Sequence, residues 1–352
     1  MTGAFVNGVR LNHVRIDNGA DDTREHLVMV HGLATSLAFW YLRFAVEFSQ
    51  QFRVTLFDLR GHGRSEMPAS GYTPAILARD LAQLLDHLEI DKAHLLSHSF
   101  GGIVALNFAV EQPDRVRSLV LADSHISAVR HVETPQEWAY GQEIQPLLDR
   151  HGLALDARDP YFGYKLLTRL AECQTDGQQL PEELSELAGP LLGKAGRRTA
   201  AKWLELMHKT TAEKELMGDD GLTLDALRGL RFPILAMYGD HSQARLTGSE
   251  LLDIWPHAEF RRVRDAGHFF PTSRPEEVIA GCRRFWGGEY SRMPRHRVGE
   301  SSQRHFRSER VFAVDGHWYF TTREKARVGP FAAREEAHLE YARQFAASQA
   351  AT

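Results

Sequence analysis

Cysteine is almost absent. The 352 residues hold two, Cys173 and Cys282. They lie in different parts of the chain with no metal-ligand spacing, so the sequence is neither a disulfide scaffold nor a thiolate metal site. Two reduced thiols in a cytoplasmic protein are expected. Long apolar runs are missing as well, and none approaches the roughly 20 residues that span a bilayer. The opening residues, Met1 to Gly8, have no basic region and no long apolar core, so no signal peptide is expected. Neither sign of charge dominates. The chain carries 42 Lys and Arg against 46 Asp and Glu, a formal net charge of −4, and nothing there argues for a nucleic-acid partner. The 18 histidines are scattered without a ligand pattern. No metal and no organic cofactor is implied.

What is present is the balance of a globular protein, 43% hydrophobic and 25% charged residues. At this length a single large α/β domain with insertions fits. The chain is organised around residues 94–104. His94 to Leu96 reads as the end of a buried strand. From Phe100 onward Ile103, Val104, Leu106 and Phe108 fall at helical spacing. Ser99 sits at the bend, with Ser97 on one side and Gly101 and Gly102 on the other. A strand that turns into a helix with a serine at the bend has the form of a nucleophile elbow. Such a bend is sharp and needs small neighbours. It lifts the hydroxyl clear of the sheet and aims the Phe100 N–H, at a helix N-terminus, where an oxyanion would form. Ser97 takes the place of the usual first glycine; it is small enough, but tolerates positive φ less well.

Other strands surround this one. Residues 4–16 alternate weakly about Asn7-Gly8 and read as a hairpin at a sheet edge. Leu27 to Val30 is continuously apolar, as for a strand buried on both faces. It ends in His31-Gly32-Leu33, which makes the Leu33 N–H a second candidate oxyanion donor. Val54 to Phe57 leads into the polar loop Asp58-Leu59-Arg60-Gly61-His62-Gly63-Arg64-Ser65, read as structural scaffold. Thr73-Pro74 caps a helix with Leu77, Leu81, Leu84, Leu85 and Leu88 on one face. Val116 to Ala122 is another buried strand, ending in Asp123. Strands alternating with helices predict a parallel α/β sheet with right-handed helical crossovers and with ligands at the carboxyl ends of its strands. His31, Ser99 and Asp123 all fall at such ends.

From about 127 to 228 strand runs vanish and helical patches dominate: Trp138 to Leu148, Tyr161 to Cys173, Leu184 to Leu192 and Arg198 to Met207. This predicts a helical cap that walls the site and excludes water. Trp138, Tyr140, Tyr161, Phe162, Trp203 and Met207 are its pocket candidates. Strand rhythm returns at Pro233 to Tyr238, followed by Gly239-Asp240-His241-Ser242, and at Phe260 to Val263. His268 then lies in a glycine-opened loop able to reach the elbow serine, and Pro275 to Phe285 is a closing helix. Residues 287–309 are rich in Arg and His and read as a solvated linker. Arg310 to Phe320 and Arg327 to Phe331 look like two strands around Asp315-Gly316, and Glu335 to Ala347 like a helix. The domain reading is therefore a core of 1–126 and 229–287, a cap of 127–228, a linker of 288–305 and a small C-terminal ββα domain of 306–352.

Val30-His31-Gly32, the loop 58–65, Ser97-His98-Ser99-Phe100-Gly101-Gly102 and Ala266-Gly267-His268 together resemble the α/β-hydrolase superfamily over roughly residues 5–286. The resemblance implies a doubly wound sheet with a helical lid and a Ser/His/acid triad. It casts Ser99 as nucleophile, His268 as base, and Phe100 and Leu33 as oxyanion donors. The acid departs from the family pattern. The third residue after Gly239, usually an aspartate, is Ser242, which carries no charge at neutral pH. Asp123 and Asp240 remain, and Asp123 is preferred because some relatives place their acid at that strand end.

The expected activity is hydrolysis of a carboxylic ester or thioester through an acyl-enzyme, on a small-molecule acyl substrate that is free or carrier-bound. Carbon–carbon bond hydrolysis and acyl transfer are rivals on the same fold, and a non-catalytic binder is a rival of another class. Serine at the elbow disfavours epoxide hydrolase and haloalkane dehalogenase chemistry, which need a carboxylate there. In the tail, Trp318 to Glu324 and Val328 to Phe331 resemble small bacterial domains of unknown function. A docking module or a homo-oligomer contact through 306–352 is the expectation for that part.

Overall fold

Buried strands need partners on both edges and cover on both faces, and a computed structural model shows how this chain supplies them. It describes residues 3–17, 19, 22–129, 139–159, 161–178, 182–184, 187, 189–191, 193–287, 311–314, 317–321 and 327–331. The chain divides into two units, Met1–Met293 and Pro294–Thr352. The division falls inside the Arg- and His-rich stretch.

The first unit is built on one eight-stranded sheet. Its strands are β1 (Gly3–Val6), β2 (Val9–Ile16), β3 (His26–Val30), β4 (Arg53–Phe57), β5 (Ala93–His98), β6 (Val116–Ala122), β7 (Ile234–Gly239) and β8 (Glu259–Val263). They lie in the order β1-β2-β4-β3-β5-β6-β7-β8. β1 and β2 form the expected edge hairpin, with positive φ at Asn7 and Gly8 as a tight turn demands. β2 runs antiparallel to β4, and every pairing from β4 to β8 is parallel. The chain leaves β3 toward β4 and returns on the other side to β5. That reversal opens a crevice at the carboxyl ends of β3 and β5, where His31 and Ser99 stand.

Helix α1 (Pro74–His87) starts as expected: the Thr73 side chain accepts the Ile76 N–H, and proline takes the first position. Its Leu77, Leu81, Leu84 and Leu85 are buried. Helix α2 (Phe100–Glu111) is buried along Phe100 to Ala109, so it has no polar face to speak of. One apolar cluster covers the α1 and α2 side of the sheet and continues into the cap. A second lies on the opposite face, where Trp40, Phe44 and Phe48 meet Val278, Ile279 and Phe285. The first three come from residues 38–48, a helical segment with a π turn at Tyr41–Ala45 that the sequence pattern did not disclose.

Between β6 and β7 the described residues contain helices and turns alone. The main ones are α3 (Ala139–Arg150), α4 (Phe162–Thr175) and α5 (Gly193–Lys209). Of the helical patch expected over Leu184 to Leu192, the described residues show short turns at Glu182–Leu184 and Gly189–Leu191 with Leu187 helical between them, and the rest lie outside the described residues. Gly189 has φ +39°, and Pro190 has no N–H to continue a helix. Helices α6 (Arg245–Ile254) and α7 (Pro275–Trp286) follow β7 and β8.

The second unit holds three antiparallel strands, β9 (Val311–Val314), β10 (His317–Thr321) and β11 (Arg327–Phe331), ordered β11-β10-β9. The expected count of two becomes three because the first stretch is split: Val314 pairs with His317 across it. Asp315-Gly316 and the helix expected at Glu335 to Ala347 lie outside the described residues.

Candidate active site

The elbow is a strained turn. Ser99 closes β5 with φ +55° and ψ −127° and stands at the N-terminus of α2. Its N–H donates to the Ala122 carbonyl at 2.9 Å, and its own carbonyl accepts the Gly102 N–H at 2.9 Å. Glycine is obligatory around it. A Cβ on Gly101 would lie 2.5 Å from the His31 carbonyl oxygen and 2.6 Å from that of Val30. A Cβ on Gly102 would lie 1.8 Å from Ser124 Oγ. Positive φ falls on Ser99 and not on Ser97, so serine at 97 meets no backbone penalty. It is fully buried, and its hydroxyl donates to the Val120 carbonyl on β6.

Three sequence-predicted residues come together here. The Ser99 hydroxyl lies 2.9 Å from His268 Nε2, and His268 Nδ1 lies 2.7 Å from Asp123 Oδ2. With the Nδ1 proton on the carboxylate side, Nε2 is left to accept from Ser99. Asp123 has no exposed surface. Its other oxygen accepts the Gly239 N–H at 3.0 Å, and Oδ2 also accepts the Ser242 hydroxyl. Asp240 is not brought to the histidine. It accepts the Ala266 N–H at 3.3 Å and pairs with Arg262 at 3.3 Å.

Two buried histidines shape the surroundings. The His98 Nε2–H donates to the His268 carbonyl at 2.9 Å, and the ring stacks on Phe39 with centroids 4.8 Å apart. Burial, reinforced by His268, pushes His98 well below the usual imidazole range and keeps it neutral. His31 accepts the Leu59 N–H at Nε2 and turns Nδ1 to Thr35 and the Gly32 carbonyl; burial lowers it too. It therefore ties β3 to the 58–65 loop. In that loop Asp58 accepts from Leu37 N–H, Arg64 N–H and the Asn12 amide, while Arg60 pairs with buried Asp80 at 2.7 Å. These partners are the scaffold the sequence suggested.

A cleft of about 170 Å³ opens over Ser99 and His268. Leu33, Phe100 and Ile103 line it from the body, and Tyr161, Phe162, Leu166, Leu167 and Leu187 from the cap. Of the expected pocket residues, Tyr161 and Phe162 reach it. Trp203 and Met207 are buried in packing, with Trp203 Nε1 donating to Thr168. Trp138 and the Tyr140 side chain lie outside the described residues. His125, Ser242 and Leu216 also line the cleft and were missed. The only available signals were the positions of the first two, just after Asp123 and Gly239. Among the described residues no group of three or more His, Cys, Asp or Glu is placed to hold a metal ion. None of the described helices is long and apolar enough to cross a membrane.

Comparison with known proteins bears on this arrangement. A soluble epoxide hydrolase of Corynebacterium sp. (strain C12) is 25% identical over 295 residues, 80% of this chain and 96% of that protein. The dihydrolipoyllysine-residue acetyltransferase component of the acetoin cleaving system of Cupriavidus necator is 30% identical over 212 residues, 57% of this chain and 55% of that protein. The crystal structure of the enol-lactonase from Burkholderia xenovorans LB400 superposes with a TM-score of 0.57 at 22% identity, covering 81% of this chain and all of that one. Residues 296–349 match a domain of unknown function (DUF6316). Residues 25–275, which carry the sheet from β3 to β8, the elbow and the cap, match the model of the alpha/beta hydrolase fold. The chain belongs to the alpha/beta hydrolase fold family.

Proposed function

We propose that the protein is a serine hydrolase that cleaves a carboxylic ester or thioester with a largely apolar acyl part. The observation that carries this reading is the unbroken hydrogen-bonded line from Ser99 through His268 to Asp123 on the floor of an apolar cleft. A serine hydroxyl is a weak nucleophile at its own pKa. His268 Nε2 takes the Ser99 proton as Oγ attacks the carbonyl carbon, and Asp123 stabilises the imidazolium. The Phe100 N–H, at the positive end of α2, and the Leu33 N–H are the donors proposed for the developing oxyanion, both residues lining the cleft. One such donor is worth about 10²- to 10³-fold in rate. His268 then protonates the departing alkoxide or thiolate, and water repeats the sequence to release the acid.

The similarity to an epoxide hydrolase does not extend to its chemistry. Attack by Ser99 on an epoxide would leave an ether with no carbonyl for water to attack, so turnover would stop after one event. The buried, free thiols of Cys173 and Cys282 fit the reducing cytoplasm in which we place the protein. For residues 306–352 we propose a docking role toward a carrier protein or a second copy. Unchanged activity and unchanged hydrodynamic size after deletion of residues 290–352 would remove it.

The central test combines a serine-directed fluorophosphonate with p-nitrophenyl esters of graded acyl length. Labelling that Ser99→Ala abolishes, with turnover of the esters, is the expected result. A folded wild-type protein that neither labels nor turns over would sink the reading in favour of a non-catalytic binder.

A further inference from the structure

We propose that Ser242 is a positioning residue of this site: from the loop after β7, its hydroxyl holds the Asp123 carboxylate in the one orientation that meets His268. The inference rests on the serine-hydrolase reading above and adds to it a residue outside the triad.

The hydrogen bonds fix the direction of the proton. Ser242 is 1% exposed. Its Oγ accepts the Ala244 N–H at 3.1 Å, so its own proton is free to go to Asp123 Oδ2, the atom it touches. That same oxygen receives His268 Nδ1 at 2.7 Å. The second carboxylate oxygen receives the Gly239 N–H, and the Asp123 N–H donates to the Met237 carbonyl at 2.8 Å. β7 and its loop thus hold Asp123 by its backbone and by both carboxylate oxygens. A carboxylate shut away from water needs its lone pairs met by donors. Here two of those donors come from β7 and the loop after it, and Ser242 is the one that shares an oxygen with the histidine.

The consequence is specific to the chemical step. Without the hydroxyl, the carboxylate keeps the Gly239 amide on one oxygen, but Oδ2 loses its protein donor and is left with the mobile imidazole alone to fix its direction. The imidazole is then less firmly held in the tautomer that accepts from Ser99. Substrate loses no partner, because the Ser242 proton points at Asp123 and not at the cleft.

The experiment measures ester hydrolysis and the rate of fluorophosphonate labelling in the full chain. Ser242→Ala is expected to lower kcat and the labelling rate about 10-fold, with KM within about twofold. Ser242→Thr, which keeps the hydroxyl, is expected to recover most of the loss. In an Asp123→Asn background, Ser242→Ala is expected to add nothing further, since its effect passes through the carboxylate. If the alanine variant does not fold, Ser242→Cys carries the test, since it keeps the volume and weakens the donor; the same loss is expected. A kcat within twofold of wild type, or an equal loss in the alanine and threonine variants with KM rising in step, overturns the proposal while leaving the hydrolase reading intact. A wild-type protein without labelling or turnover overturns both.

Discussion

Ser99 and Asp123 end neighbouring parallel strands with the same left-handed backbone, φ +55° in each. The Ser99 N–H bonds the carbonyl of Ala122, the residue before Asp123, so the two turns brace one another. A non-glycine residue held at such φ costs about 1–3 kcal/mol and persists only where its surroundings over-determine it.

That strain is measurable. Ser99→Gly removes both the hydroxyl and the backbone penalty, whereas Ser99→Ala removes the hydroxyl alone. Both are expected to abolish ester turnover. The glycine variant is expected to melt roughly 3 °C above the alanine variant. Equal melting temperatures in a calorimeter would show that the elbow stores no strain.

The two candidate acids separate cleanly. Asp123 is fully buried against His268, while Asp240 is turned to Arg262 and the Ala266 N–H. Asp123→Asn is expected to lower kcat by about 10⁴-fold, the loss typical when a triad carboxylate becomes an amide and the histidine tautomer is wrong. Asp240→Asn is expected to keep turnover within a few-fold. The reverse order in steady-state kinetics would reassign the acid.

The sheet was legible because its central strands are buried on both faces and therefore read as unbroken apolar runs: Leu27 to Val30, Val54 to Phe57 and Val116 to Ala122. The elbow was legible because a sharp turn admits few residues, and Gly101 and Gly102 stand where a Cβ would strike backbone or side chain. The acid stayed open in the sequence because its identity is a matter of distance between two loops. Ser242, read alone, is only an uncharged residue where an aspartate is usual; beside Asp123 it is a donor. Tyr161 and Phe162 could not be told from Trp203, since an aromatic side chain that lines a cleft and one that fills a cap have the same local pattern. The second unit was miscounted by one strand because what looked like a single run holds two strands, Val311–Val314 and His317–Thr321, paired with each other.

Buried neutral histidines make the fold sensitive to acid. Burial lowers His31, His62 and His98, His62 to about 3. In the unfolded chain each takes a proton near pH 6.5. Since the folded values lie below the unfolded one, the unfolded state binds more protons as pH falls. Stability is fully present above about pH 6.5 and declines below it, by about 1.4 kcal/mol per pH unit for each histidine. The urea midpoint is expected to fall steeply between about pH 6 and pH 4.5, with a shallower slope in His62→Gln. A midpoint independent of pH across that window would contradict the burial assignments.

On the proposed ester hydrolysis, the cleft wall is expected to set the acyl length. Leu167 is half-buried on α4, and Leu167 and Leu187 both line the cap side of the cleft above Ser99. An indole placed there is expected to fill cleft space on the cap side, where the proposed acyl chain would run, while leaving the triad hydrogen bonds in place. Leu167→Trp is therefore expected to leave hydrolysis of p-nitrophenyl acetate within about twofold and to depress longer esters progressively. Each excluded methylene removes about 0.8 kcal/mol of burial, or roughly fourfold in kcat/KM. The check is kcat/KM plotted against chain length for the two proteins. A uniform drop at every length would mean that the substitution disturbs the triad, and an unchanged profile would mean that the acyl chain runs along another wall.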